Sequence, residues 1–476
     1  MSAMADFQNT FQNLPPFLFE KVKPTPISQP KLIHVTDLKE KLGLNLSEDD
    51  LIAWLNGEKE LAGEQRISTR YAGHQFGVWA GQLGDGRAIS LGELVVDDDR
   101  YEIQTKGSGL TPFSRMGDGK AVIRSSVREY LCSEALYGLG IPTTRVLALL
   151  TGNDSVYRET VEKSALLARV FPSNLRFGHF EMCFHFEKKD ELKKLIQYTK
   201  ETFFNGVSTE EMLREIVKRT AHLIANWQNV GFCHGVMNTD NMSVLGLTID
   251  YGPFGFLEDT VLNYICNHSD HQGRYAYNQQ PSIGMWNLER FLVCFMNEVP
   301  KERLQEILNE YPGFFESEYL RLSRLKLGLL AEEPNDFQLL VDALNMLSAL
   351  SIDYTYFWRQ LCYFKSGQPQ SIQALFDYYG NRKELLEWLE KYSERLGLEK
   401  SDDEERSLRM IKINPKFVLK NYIAHEVIED VEKGNSQMLQ KFLQVFYRPF
   451  DEHRDFEKYA LPTPPEYKHF EVSCSS

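Results

Sequence analysis

No run of 18 apolar residues occurs anywhere in the 476-residue chain, which argues against a hydrophobic membrane-spanning helix. A basic, apolar-cored leader is missing too, since Asp6 and Glu20 flank a Pro-rich opening stretch. The expectation is a cytoplasmic protein with no export signal and no membrane partner. Positive charge is scarce: 53 Lys and Arg against 67 Asp and Glu leave a net charge of −14. That balance speaks against a broad nucleic-acid or anionic-membrane surface, although it allows a small basic pocket for a nucleotide. The seven cysteines (132, 183, 233, 266, 294, 362 and 474) form no CxxC pair and no zinc pattern. Most are expected to be reduced core residues, with Cys474 exposed on a tail. Internal repeats and low-complexity segments are also lacking.

What is present is an ordinary globular composition, 42% hydrophobic and 25% charged, in a chain long enough for two lobes with extensions. Residues 1–64 hold a Pro-rich lead and a helical stretch at 51–55, and read as an N-terminal extension. Residues 65–185 alternate Gly-rich turns with short β-type runs. Two strands within 86–106 are joined by Asp97-Asp98-Asp99, a helix covers 121–138, and strands at 145–150 and 163–170 flank a turn at 151–154. Residues 186–476 read as mostly helical, for example at 209–230, 287–297, 336–350 and 381–396, with a C-terminal tail carrying Pro462, Pro464 and Pro465. The fold class expected is α+β, with a β-rich N-lobe and a helical C-lobe.

The stretch that organises this layout is HGVMNTDNMSVLGLTIDYG, residues 234–252. In a protein-kinase catalytic loop a His is followed two residues later by the base Asp and seven later by a metal-binding Asn. Asn241 falls on the second position and Val236 on the first, where it can neither accept a proton nor orient a hydroxyl. The run 243–249 reads as a short hairpin delivering Asp250-Tyr251-Gly252, where a kinase carries its second metal ligand. Asp240, beside Asn241, either caps a turn or takes over the vacated base role. His234 reads as structural.

Upstream, the glycines of GQLGDGR place Gly84 and Gly86 where backbone N–H groups approach phosphate, with Arg87 supplying charge. Lys106 ends the strand YEIQTK, and Glu129 lies 23 residues on, as a kinase's phosphate-pairing Lys and its helix Glu do. Glu134, five residues further, points elsewhere on the helix. Asp118-Gly119 precede that helix, and ARVFPSNLRFG offers Arg169 and Arg176, whose planar forks suit phosphate oxygens.

Taken together, GQLGDGRA, IQTKGSGLTPFSRMGDGKAV, RSSVREYLCSEA, ARVFPSNLRFG, HGVMNTDNMSV, TIDYGPFGF and the terminal CSS resemble the selenoprotein O family of pseudokinases over most of the chain. The resemblance implies a bilobal protein-kinase-like fold that binds ATP reversed and transfers AMP to Ser, Thr or Tyr hydroxyls of proteins. Uridylyl transfer from UTP is also attributed to bacterial members. It further implies that Gly84, Gly86, Arg87, Lys106, Asp118, Gly119, Arg169, Arg176 and Asp250 contact the nucleotide. Asn241 and Asp250 would hold Mg2+ or Mn2+, Asp240 would be the proton acceptor, and Glu129 would pair with Lys106. A regulatory disulfide between Cys266 and Cys474 is a further expectation. A conventional phosphotransferase and a non-catalytic nucleotide-binding scaffold remain the alternatives.

Overall fold

The structure, a computed structural model, describes residues 7–468. Its fold is mixed α/β, built on one antiparallel sheet with most helices following it in the chain. The strands are β1 (Phe19–Lys21), β2 (Lys31–Val35), β3 (Ile67–Thr69), β6 (Ala88–Val96), β7 (Asp99–Lys106), β8 (Ala121–Val122), β9 (Arg145–Tyr157) and β10 (Val161–Phe171). They run in the order β1-β3-β6-β7-β10-β9-β2, with β8 added beside β10. Residues 1–64 thus supply both outermost strands of that path. A separate two-stranded ribbon is made by β4 (Ala72–Gln75) and β5 (Val78–Gln82).

The β6–β7 hairpin turns at Asp97 and Asp98, both at positive φ (52° and 67°), a conformation that short polar side chains tolerate in tight hairpins. The expected turn at 151–154 is not one: β9 runs through Thr151-Gly152-Asn153-Asp154. A neighbouring segment supplies the missing partners. Lys31 pairs with Thr151, Asn153 donates its N–H to Ser28 at 2.9 Å, and the Asp154 carboxylate accepts from the Ser28 N–H at 2.9 Å. The chain reverses instead at Arg158–Thr160, where the Arg158 N–H donates to the Thr160 carbonyl at 2.9 Å.

Helices α1 (Leu38–Lys41) and α2 (Glu48–Leu55) pack into a small core with Ile89, Ile103 and Val170 of the sheet. Helix α3 (Ile123–Gly138) lies under the sheet, buried almost all round, and packs on Asn421–Glu432 and Gln437–Tyr447. Helices α4 (Phe177–His185), α5 (Lys189–Phe203) and α6 (Thr209–Val230) follow. The sequence states both ends of α6: Ser208 and Glu211 form a reciprocal cap at its start, and Gly231, at φ 74°, closes it. The largest core spans sheet and helices, joining Val127, Leu131 and Leu149 to Ile224, Trp227, Phe291 and Phe442. No helix among the described residues is long and apolar enough to cross a membrane.

Close packing of α3 makes one glycine irreplaceable. A Cβ on Gly138 would collide with the carbonyl oxygen of Phe446. Gly138→Ala is therefore expected to destabilise the protein by about 3 kcal/mol, read as a lower urea midpoint, because neither helix end can withdraw without opening the core.

Six cysteines are buried free thiols, as expected of core residues. The Cys266 thiol lies inside, 3.4 Å from the Cys233 sulfur, and burial pushes it well above the usual thiol range. Cys474, its expected disulfide partner, lies outside the described residues.

Candidate nucleotide site

Antiparallel pairing sets the deep end of the site. Lys106 stands opposite Leu167 and Gln104 opposite Arg169, so Lys106, Gln104 and Arg169 share the face of the sheet that looks at α3. From α3, Glu129 receives both cations: Lys106 Nζ on Oε2 and Arg169 Nη1 on Oε1, the latter at 3.1 Å. Burial pulls the Lys106 ammonium down, and the Glu129 carboxylate opposes it. Glu134 faces away, as the helix wheel predicts. It accepts from Arg145 (2.8 Å) and from the Val146 N–H (2.9 Å).

Segment 234–252 is tied down at both ends. Strands β11 (Phe232–Cys233) and β12 (Gly255–Phe256) pair antiparallel, closing the excursion at its base. Within it, the buried His234 ring bonds through Nε2 to the Ile249 carbonyl (3.0 Å) while its backbone N–H donates to Gln280 (2.9 Å), a structural role. The expected hairpin at 243–249 does not form. Ser243 pairs with Arg176 and Thr248 with Thr143, so the two arms take their partners from earlier in the chain. Asp250 then adopts φ 56°, a left-handed conformation that Asp tolerates better than most side chains do.

That conformation places the Asp250 carboxylate between two guanidinium groups. Arg169 Nη1 donates to Oδ1 at 2.7 Å and Arg176 Nη1 to Oδ2. Burial works to raise this carboxyl, but Arg176 and Arg169 hold it well below the usual range. Asp240 is different. Burial pushes it up to about 7 despite Arg176, whose guanidinium donates to its backbone carbonyl (2.9 Å) and not to its carboxylate.

A cleft of about 790 Å³ opens over these groups, large enough for a nucleotide. Lys106, Arg169, Asp240, Asn241 and Asp250 line it together with Gly84, Gly86 and Arg87 on one rim and Asp118 and Gly119 on another. Arg176 does not line it and stands behind Asp250. The two rims are joined: Thr111 Oγ1 donates to the Asp85 carbonyl (2.7 Å) and Ser114 Oγ to that of Gly86 (2.5 Å). Gly84 and Gly86 permit this approach, since a Cβ on either would lie within 3 Å of Phe113.

Two residues that position the rims were not singled out from the sequence. Asp85, buried, accepts from the Thr69 N–H (3.0 Å) and hydroxyl (2.6 Å), fixing the glycine turn from below. Arg158, at the β9–β10 turn, holds the Asp118 carboxylate in a two-pronged pair at 2.8 and 3.0 Å. An aspartate flanked by glycines is a visible signal for the first. Nothing local signals the second, because it sits 40 residues away at the end of a strand.

The donor set fits a hard divalent cation. Asn241 donates its amide nitrogen to the Val236 carbonyl (2.9 Å), turning its oxygen the other way, and Asp250 adds carboxylate oxygens. Mg2+ and Mn2+ favour such oxygens and complete their shell with water and phosphate. No cluster of three or more His, Cys, Asp or Glu residues that could hold a metal occurs among the described residues, so protein atoms would supply only part of a shell.

Comparison with known proteins supports nucleotidyl transfer. The family model described as protein adenylyltransferase SelO matches residues 2–447. The chain is 45% identical over 484 aligned positions to the protein nucleotidyltransferase YdiU of Herminiimonas arsenicoxydans, covering 98% of this chain and 96% of that one. It is 42% identical to the YdiU protein of Yersinia pseudotuberculosis over the full length of both. It is 43% identical to that of Photobacterium profundum, covering 99% and 98%. The chain belongs to the SelO family and is a protein nucleotidyltransferase.

Proposed function

We propose that this protein transfers AMP from ATP to Ser, Thr or Tyr hydroxyls of other proteins, with UTP as a second donor. In this reading it is a kinase-like bilobal enzyme, with residues 1–64 as an extension, 65–185 as the N-lobe and 186–476 as the C-lobe. The nucleotide lies reversed, its β- and γ-phosphates toward Lys106 and Arg169 and its α-phosphorus toward Asp240.

The observation that supports this most is the pairing of a carboxyl near neutrality with a deep cationic end in one cleft. Asp240, pushed up to about 7, is matched to accept a hydroxyl proton at physiological pH. The acceptor oxygen then attacks the α-phosphorus, the bond to the β-phosphate oxygen breaks, and pyrophosphate leaves. Lys106 and Arg169 retain its charge, with Arg87 at the rim and Arg176 steadying Asp250 from behind. The Gly84–Gly86 turn and Asp118-Gly119 hold the remainder of the nucleotide. Asn241 and Asp250 would hold Mg2+ or Mn2+, which when bound neutralises phosphate oxygens.

ATP labelled at the α-phosphate is expected to leave label on acceptor protein, and ATP labelled at the γ-phosphate to leave none. The reverse pattern would mean phosphotransfer, and no label from either position would mean a binding scaffold.

A pH dependence follows. Asp240 accepts a proton only when ionised, so kcat/KM is expected to rise with pH and level off with a midpoint near 7. Asp240→Asn should lose about a hundredfold or more and lack that rise.

A further inference from the structure

Ribbon β4–β5 stands apart from the main sheet and lies against the Thr239–Asn241 turn and α4. Its attachment is a buried polar hub. Thr239 Oγ1 donates to Glu181 Oε2 (2.5 Å) and accepts from the His74 N–H (2.7 Å), while His74 Nδ1 bonds to Glu181 Oε1 at 2.9 Å. Thr239 and Glu181 are fully buried, a costly place for a carboxylate unless its hydrogen bonds are made. At the ribbon's tip the Phe76 N–H donates to Tyr275 Oη (2.8 Å). Gly73 lets the backbone close on the catalytic turn, since a Cβ there would lie 2.8 Å from Asp240 Oδ1.

This anchoring brings one side chain to bear on Asp240. Gln75 Nε2 donates to Asp240 Oδ2 at 3.3 Å, and among the described residues Asp240 Oδ1 has no hydrogen-bond partner. The direction in which the carboxylate points therefore depends on a donor carried by the ribbon, 165 residues away in sequence.

We propose that Gln75 is a positioning residue for the proton acceptor, and that Thr239, Glu181 and His74 fix the ribbon so that Gln75 can aim Asp240. This rests on the reading of Asp240 as the base in adenylyl transfer. Gln75 lines the cleft beside Asp240, and its hydrogen bond there goes to that carboxylate, so its loss is expected to slow the transfer step far more than it weakens ATP binding.

Gln75→Met keeps the length of the side chain and removes the donor. Transfer of α-labelled AMP into a soluble bacterial protein extract, with Mn2+ present, is expected to fall roughly ten- to a hundredfold in kcat. KM for ATP and the calorimetric Kd of ATP should stay close to the wild-type values. Thr239→Val, which removes both hub bonds, should show the same split, and Thr239→Ser should recover most of the rate. Wild-type kcat in Gln75→Met, a matching loss of ATP affinity, or Thr239→Ser as impaired as Thr239→Val would each overturn the proposal. Wild-type enzyme assayed alongside separates the two claims. If it transfers no α-label, adenylyl transfer itself falls and the positioning role with it; if it transfers label and Gln75→Met does so equally, only the positioning role falls.

Discussion

Asp250→Ala is expected to lower nucleotidyl transfer roughly a thousandfold, about 4 kcal/mol, since in the proposed function Asp250 would hold the divalent cation that offsets charge at the reacting phosphates. The same substitution strips Arg169 and Arg176 of a shared carboxylate. Breaking buried ion pairs from one side typically costs about 3 kcal/mol, so a stability loss should accompany the catalytic one. The two are separable. ATP affinity measured without divalent metal is expected not to fall in the folded variant, because two guanidinium groups released from Asp250 become available to phosphate. A variant that kept wild-type turnover would remove Asp250 from the chemistry.

Lys106→Ala should come close to that loss, roughly a hundredfold or more, because the ammonium lines the cleft where, in the proposed orientation, the leaving group's charge would be held. Glu129 would still be paired, through Arg169 at 3.1 Å, so the local fold should survive. Lys106→Arg is not expected to restore activity. A planar fork cannot replace a compact ammonium between Glu129 and the cleft without displacing Arg169. Kinetics should show kcat falling and KM for ATP rising together.

The residues whose placement was easiest to read were those set by spacing along one element or one short loop. Lys106 and Glu129 sit at the end of a strand and within the next helix, and the ion pair between them is present. Asn241 and Asp250 share a loop, and both line the cleft. Boundaries of α6 were equally legible because Ser208, Glu211 and Gly231 encode them chemically.

Long-range pairing accounts for what was missed. Thr151-Gly152-Asn153-Asp154 has the composition of a turn, yet Ser28 and Lys31 recruit it into a strand. The pairing of Arg176 with Asp250, where Arg176 is 1% exposed, is likewise not written into ARVFPSNLRFG. The contribution of ribbon β4–β5 could not be seen because Gln75 and Asp240 meet only after the chain has folded. Each of these depends on which distant segment arrives, and local propensity carries no record of that.

The proposed chemistry depends on the direction in which the nucleotide lies, and a crystal structure with a non-hydrolysable ATP analogue and Mn2+ would reveal it. Reversed binding puts the β- and γ-phosphates against Lys106 and Arg169 and makes the α-phosphorus the phosphorus nearest Asp240. Adenine buried at the Lys106 end, with the γ-phosphorus nearest Asp240, would contradict it.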